Sequence, residues 1–214
     1  MRWGRAGWAV VCGLLAVGLC GTAAAAEPGF DCSRAQATVE RLVCAEPTLA
    51  ERDRALQAAY RAASARATGA QARRLAQDQR AWIKGRNDCW KATRTTWITA
   101  TWTVDTVPAC VEASYRLRTA ELQAMWQLVS SARLTLHCSS QPADELIASF
   151  YATDPPTLRL ERGDRAALLW QVGPADAQRF EGRNVEARRT AGGLTVHGLG
   201  TAPGRTDTLD CQQP

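Results

Sequence analysis

Apolar positions change their period part-way along this chain. From Cys32 to Val129 they recur at helical spacing, and from Leu134 to Cys211 they alternate in short runs broken by turn residues. In the first part Leu49, Leu56, Tyr60 and Ala63 form one stripe, and Thr48-Leu49-Ala50-Glu51 reads as a capping box at its start. A second helix is expected from about Gln71 to Asp88, with Leu75, Trp82 and Ile83 on one face and Gly69 separating it from the first. A third begins around Cys110, where Val111, Tyr115, Leu122, Trp126 and Val129 repeat at intervals of four, seven, four and three. Ahead of it, Trp90 to Pro108 is a threonine-rich insertion carrying Trp97 and Trp102, which read either as a binding surface or as a cluster packed under the loop.

The second part predicts up to eight short strands: Leu134–Cys138, Leu146–Tyr151, Thr157–Glu161, Ala166–Trp170, Gln178–Glu181, Asn184–Arg189, Leu194–His197 and Thr206–Cys211. Turns fall at Asp154-Pro155-Pro156, Arg162-Gly163-Asp164, Gly182-Arg183, Ala191-Gly192-Gly193 and Ala202-Pro203-Gly204. Close, regular spacing of this kind predicts a compact antiparallel barrel or sandwich. Good helix formers dominate the first part, and Thr, Val, Leu and Gly the second. The expected architecture is two-domain, α then β: a helical domain over 27–129 and a β domain over 134–214.

Residues 1–26 stand outside that pattern. Arg2 and Arg5, the apolar run from Ala9 to Leu19 and Ala24-Ala25-Ala26 read as a secretory signal peptide, with no membrane-spanning segment left in the mature chain. Leu19 precedes Cys20 where bacterial lipid attachment wants a small residue, so a soluble periplasmic or secreted protein is expected over a lipoprotein. The mature chain then holds six cysteines, Cys32, Cys44, Cys89, Cys110, Cys138 and Cys211, an even number that suits disulfides in an oxidising compartment. Six cysteines allow 15 connectivities. Spacing favours the local pairs 32 with 44, 89 with 110, and 138 with 211, the last joining the first and last strands. No Cys-x-x-Cys is present and neither His137 nor His197 has a second histidine at ligand spacing, so neither metal nor cofactor is expected.

The net charge of +5 divides unevenly: residues 27–133 hold 16 Lys and Arg against 11 Asp and Glu, and 134–214 hold 8 against 10. A mildly acidic β domain suits a basic protein partner, and a basic helical domain suits anionic envelope surfaces. Nucleic acid is not expected outside the cytoplasm. No Gly-x-Ser-x-Gly, His-Glu-x-x-His or phosphate-binding glycine loop occurs, and Asp144-Glu145 reads as strand-end solvation, so an enzyme acting on a small-molecule substrate is not expected.

Two resemblances add to this reading. Phe30-Asp31-Cys32, Val39 to Ala45, Leu49 with Asp53 and Tyr60, Gln79-Arg80-Ala81-Trp82 with Arg86 and Cys89, and Cys110 with Tyr115 and Arg118 resemble the N-terminal domain of the LprI-type lysozyme inhibitors. That resemblance covers Phe30 to about Met125 and implies a small disulfide-bonded helical envelope domain without catalytic residues; the long insertion between Cys89 and Cys110 departs from it.

Phe150-Tyr151-Ala152-Thr153-Asp154-Pro155-Pro156-Thr157, Leu158-x-Leu160 with Gly163, Gln171-Val172, and Arg179-Phe180-Glu181-Gly182 with Val185-Glu186 resemble the MliC family, membrane-bound and periplasmic inhibitors of c-type lysozyme. This second resemblance implies an eight-stranded antiparallel barrel, with c-type lysozyme as the partner blocked by the 174–181 loop. The family's Ser-Gly-x-Arg/Lys-Tyr falls on Asp176-Ala177-Gln178-Arg179-Phe180, and its Thr-Lys-Gly on Arg189-Thr190-Ala191. Asp176 thus stands where the family has serine, and Thr190 where it has lysine. The competing expectation is a non-inhibitory envelope adaptor that binds through the helical domain and its tryptophan insertion.

Overall fold

The computed structural model describes residues 27–92, 95–96, 103–139, 144–199 and 208–214. The expected signal peptide, Trp97, Trp102 and the turn at 202–204 lie outside them. Four helices come first: α1 (Thr38–Ala45), α2 (Pro47–Arg66), α3 (Gly69–Asn87) and α4 (Val107–Met125). Between α3 and α4 a minimal antiparallel pair, β1 (Thr95–Thr96) and β2 (Thr103–Val104), lies within the insertion. Eight strands follow: β3 (Ser131–His137), β4 (Glu145–Tyr151), β5 (Thr157–Arg162), β6 (Arg165–Val172), β7 (Arg179–Gly182), β8 (Glu186–Arg189), β9 (Gly193–His197) and β10 (Thr208–Gln212). They close as an antiparallel barrel in the order β10-β3-β4-β5-β6-β7-β8-β9. The open choice between barrel and sandwich is decided in favour of the barrel.

Helix starts differ from the sequence expectation. Pro47 occupies the first position of α2, with Glu46 before it and no side-chain capping bond. Its preset φ and missing N–H begin the helix there, so Thr48 and Glu51 sit inside the first turn and form no capping box. The carboxylate that does cap is Glu40 of α1, which accepts from the backbone N–H groups of Gln36 and Ala37, each at 3.0 Å. Those backbone donors, Ala37 first, hold its carboxyl below the ordinary carboxylate range. Gly69, at φ +52°, turns the chain between α2 and α3, a conformation that costs glycine little. Thr106 caps α4, which therefore starts ahead of Cys110. Gln127 ends α4 at φ +50°, and Arg66 donates to the freed carbonyls of Trp126 and Gln127.

Leu49, Leu56, Ala63, Leu75, Val111, Tyr115 and Leu122 form the helical core, as their spacing predicts. Ile83 and Val129 do not join it: both are exposed, Val129 because α4 has already ended. In the barrel the inward positions are Leu136, Leu146, Leu158, Leu160, Leu169, Leu194 and Val196. A Cβ on Gly193 would stand 1.8 Å from the Cys211 carbonyl oxygen, so β9 and β10 meet only because that residue is glycine. Disulfides join Cys32 to Cys44, Cys89 to Cys110 and Cys138 to Cys211. The last ties β10 to the chain just after β3, where the two strands share the single register pair Gln212 with His137.

The helices and the barrel touch chiefly through α4, β5 and β6. Asp154, in the turn between β4 and β5, accepts from Arg116 of α4 at 2.6 Å and from Arg52 of α2 at 3.2 Å. Arg116 foremost holds the Asp154 carboxyl below its ordinary range. Asp144 is likewise not simply solvated at a strand end: Arg162 of β5 pairs with it and lowers its pKa.

Candidate functional site

Strand register gathers the expected loop at one mouth of the barrel. The turns from β4 to β5, β6 to β7 and β8 to β9 all open on that end, because each strand runs antiparallel to its neighbour. After β6, Pro174 leads into a single 3-10 turn over Ala175–Ala177, and Gln178 then takes φ +49°, unusual for a side chain larger than glycine. That twist aims the Gln178 carbonyl at the backbone N–H of Arg189, 2.9 Å away. The 174–178 segment and the Arg189–Thr190 segment are thereby joined directly. Thr190 in turn donates its N–H to the Gly193 carbonyl at 3.0 Å.

Side chains at this mouth divide into exposed and anchoring groups. Asp176, Arg188, Arg189 and Thr190 are exposed. Arg179 does not offset the charge of Asp176, because its guanidinium pairs with the buried carboxylate of Glu181 on the same strand. Phe180 is 5% exposed and packs edge-on against Phe150, with ring centroids 5.8 Å apart. It supports the mouth from inside and presents no surface to a partner. Register pairs Arg189 with the inward-facing Leu194, so Arg189 starts toward the barrel axis and lays its guanidinium over the Phe150 ring, 4.8 Å from the centroid. Phe180, Phe150 and Arg189 thus form a stack from core to solvent. Phe150 as the seat of Arg189 and Glu181 as the partner of Arg179 are the contacts that sequence reasoning missed; strand alternation marks Phe150 and Arg189 as inward-facing, and only the closed register of the barrel brings them together.

The helical part holds a different constellation. Asp53 of α2 accepts from the Tyr115 hydroxyl at 2.9 Å, and from the Gly29 N–H at 2.8 Å. The same hydroxyl accepts from Arg86 Nη1 at 2.6 Å, so Tyr115 relays between a buried cation and a buried carboxylate. Burial pushes the Tyr115 hydroxyl far above its ordinary pKa, which keeps it protonated for that relay. Trp82 meets the Tyr115 ring edge-on at 5.2 Å, and the Arg86 guanidinium lies 5.4 Å from the Trp82 centroid. Arg118 Nε donates to Gln79 Oε1 at 3.1 Å. Above this network opens a cleft of about 370 Å³ lined by Phe30, Glu40, Asp53, Gln79, Trp82 and Arg86. Residues scattered from 53 to 118 in the chain therefore meet in one place.

Residues 31–122 match the family model described as lysozyme inhibitor LprI. No curated protein and no solved structure matches the chain. The LprI match spans all four helices except the last turn of α4 and stops before the barrel. Asp53, Gln79, Trp82, Arg86, Tyr115 and Arg118, which carried the resemblance in the sequence, are the members of the buried network. In this LprI-like segment they organise the fold, and what they leave open to a partner is the cleft above them. Among the described residues no group of His, Cys, Asp and Glu is arranged to hold a metal, and no helix is long and apolar enough to cross a membrane.

Proposed function

We propose that the protein is an exported inhibitor of c-type lysozyme and that the barrel mouth, residues 174–181 with Arg189 and Thr190, enters the enzyme's cleft. The LprI match over 31–122 carries the reading. The MliC resemblance of the barrel and the exposed, backbone-tied pair of segments at its mouth support the choice of surface. Division into a helical domain at 27–129 and a barrel domain at 134–214, with residues 1–26 removed on export, belongs to the same proposal.

A c-type lysozyme works with two carboxylates, one protonated and one ionised. A guanidinium about 4 Å from the ionised one gains roughly 1 kcal/mol in water and about 4 at an effective dielectric near 20. Asp176 would lose as much at that place. On this reading Arg189 meets the ionised carboxylate and Asp176 the protonated one, whose O–H donates a short charge-assisted hydrogen bond. Arg189 supplies the cation that Thr190 does not.

The test is the rate of cell-wall lysis by a c-type lysozyme with the purified protein at micromolar concentration. Slowing is expected, and Arg189→Ala should weaken it by about tenfold, the equivalent of ~1.4 kcal/mol. An unchanged lysis rate with the unaltered protein rejects inhibition. The adaptor reading has one observation of its own, the 60% exposure of Trp90 beside the exposed Ile83 on the helical part. An unslowed lysis rate together with capture of an envelope component that Trp90→Ala abolishes and Arg189→Ala leaves intact would favour the adaptor.

A further inference from the structure

Three buried side-chain donors have no acceptor among the described residues: Arg118 Nη2, Arg159 Nε and Trp170 Nε1. Buried donors are rarely left unmet in native proteins, and these three lie on one seam. Arg118 stands on α4. Arg159 is on β5 and Trp170 on β6. Register opposes Arg159 to Leu168 and Thr157 to Trp170, while Leu158, Leu160 and Leu169 fill the barrel interior. Alternation therefore turns both Arg159 and Trp170 to the outer face, toward the helices.

The seam contains two hollows that share a wall. One, of about 130 Å³, is lined by Trp82, Leu117, Arg118 and Trp170 among others. The other, of about 370 Å³, is lined by Arg74, Asp78, Arg118, Leu122 and Arg159 among others. Arg118 and its partner Glu121 border both. Arg118 is 5% exposed, and its Nε and Nη1 are held by Gln79 and Glu121 at 3.1 and 2.9 Å, so Nη2 is its one nitrogen without an acceptor.

We propose that this seam binds a small carboxylate. Every unmet group is an N–H donor, and two of the three are nitrogens of guanidinium groups that already pair with Glu121 and Glu161, so what the three lack in common is an acceptor. Carboxylate oxygens match guanidinium and indole donors in geometry and charge. Trp82 and Leu117 give the smaller hollow an apolar wall suited to a short acyl chain, which a bare inorganic anion would leave uncovered. A ligand there bridges α4 to β5 and β6, at a place distinct from the barrel mouth and independent of lysozyme inhibition.

The experiment follows the indole N–H resonance of Trp170 in the full chain, assigned by its loss in Trp170→Phe. Sodium acetate is titrated at constant ionic strength, with sodium chloride and acetamide as the charged and neutral comparisons. Acetate should shift the resonance saturably while chloride and acetamide do not, and Arg159→Gln should weaken the effect by about tenfold or more. Acetate binding to Trp170→Phe, read from the line width of the acetate methyl signal, should weaken likewise. This second variant decides the matter if Arg159→Gln fails to fold. A resonance unmoved up to about 100 mM acetate overturns the proposal, that concentration being near the weakest specific binding worth the name. Equal shifts with chloride, unchanged binding in both variants, or only ordered water on the three donors in crystals grown with acetate overturn it too.

Discussion

In the helical part the deeply buried side chains include Asp53, Arg86 and Arg118 beside Tyr115, whereas the innermost layer of the barrel is Leu136, Leu146, Leu158, Leu160, Leu169 and Leu194. A buried charge is tolerable only when its partners are present in the right chemistry, so each member of the helical network dictates the identity of the next. An aliphatic core asks for volume and pattern and accepts many residues that supply them. The LprI match falls on 31–122, the segment that holds this network. The matched segment is thus the one whose interior is the more demanding, and a match there speaks to fold before it speaks to the surface that meets a partner.

Paired substitutions break or sharpen that contrast. Asp53→Ala removes the acceptor of Tyr115 and of Gly29 and cuts the buried relay that runs through Tyr115 to Arg86, whose remaining carboxylate partner is Glu40 at 3.9 Å. A loss of about 3–5 kcal/mol is expected. Leu160→Met, equally buried but in the barrel, should cost less than about 1.5 kcal/mol. Denaturant unfolding followed by far-ultraviolet dichroism measures both, and equal losses would mean that the network is no more demanding than an aliphatic core.

The disulfides reverse the ranking. Cys138–Cys211 closes 73 residues, against 12 for Cys32–Cys44 and 21 for Cys89–Cys110. On the chain-entropy account, removing the barrel bridge by a double Cys→Ser change costs about 4 kcal/mol, and removing either helical bridge about 3. The barrel, with its last strand held to β3 by one register pair, should therefore be the more sensitive to reduction. Thermal unfolding of the three double variants measures this, and a helical bridge that matters most would show that the barrel closes without its clasp.

How much of this was legible beforehand follows the same contrast. Alternation of Leu158 and Leu160 with Thr157, Arg159 and Glu161 announced a strand, and the stripe of Leu49, Leu56 and Ala63 announced a helix, because periodicity survives without knowledge of neighbours. The placement of Asp53, Arg86 and Tyr115 against one another was not readable, since three separate helices supply them. At the barrel mouth the residues were visible, but the pairing of Arg179 with Glu181 and the seating of Arg189 on Phe150 depend on register. Thr48 misled because a capping signature outweighed the adjacent Pro47, whose fixed φ starts the helix earlier. The seam between helices and barrel gave no signal at all: Arg118, Arg159 and Trp170 are far apart in sequence and share no motif.

The smallest expected effect lies where the two regions meet. Asp154 is held by Arg116 and Arg52, and its folded-state pKa lies below the ordinary value of 3.8. A carboxyl whose pKa is depressed on folding contributes stability that is fully present above the unfolded value and disappears as pH falls through the folded one. The side chain is 53% exposed, so solvent screening limits the contribution to about 0–1 kcal/mol. Asp144, paired with Arg162 inside the barrel, and Glu40, capping α1, lose their contributions in the same acid window. Comparison with Asp154→Asn separates the three: at neutral pH the variant should unfold slightly more easily, and the gap should close as the pH drops from about 5 to about 2. Thermal unfolding across that range measures the gap, and small-angle scattering reports whether helices and barrel part as it closes. A gap that persists at the acid end would mean that Asp154 holds the two regions together by its shape within the turn and not by its charge.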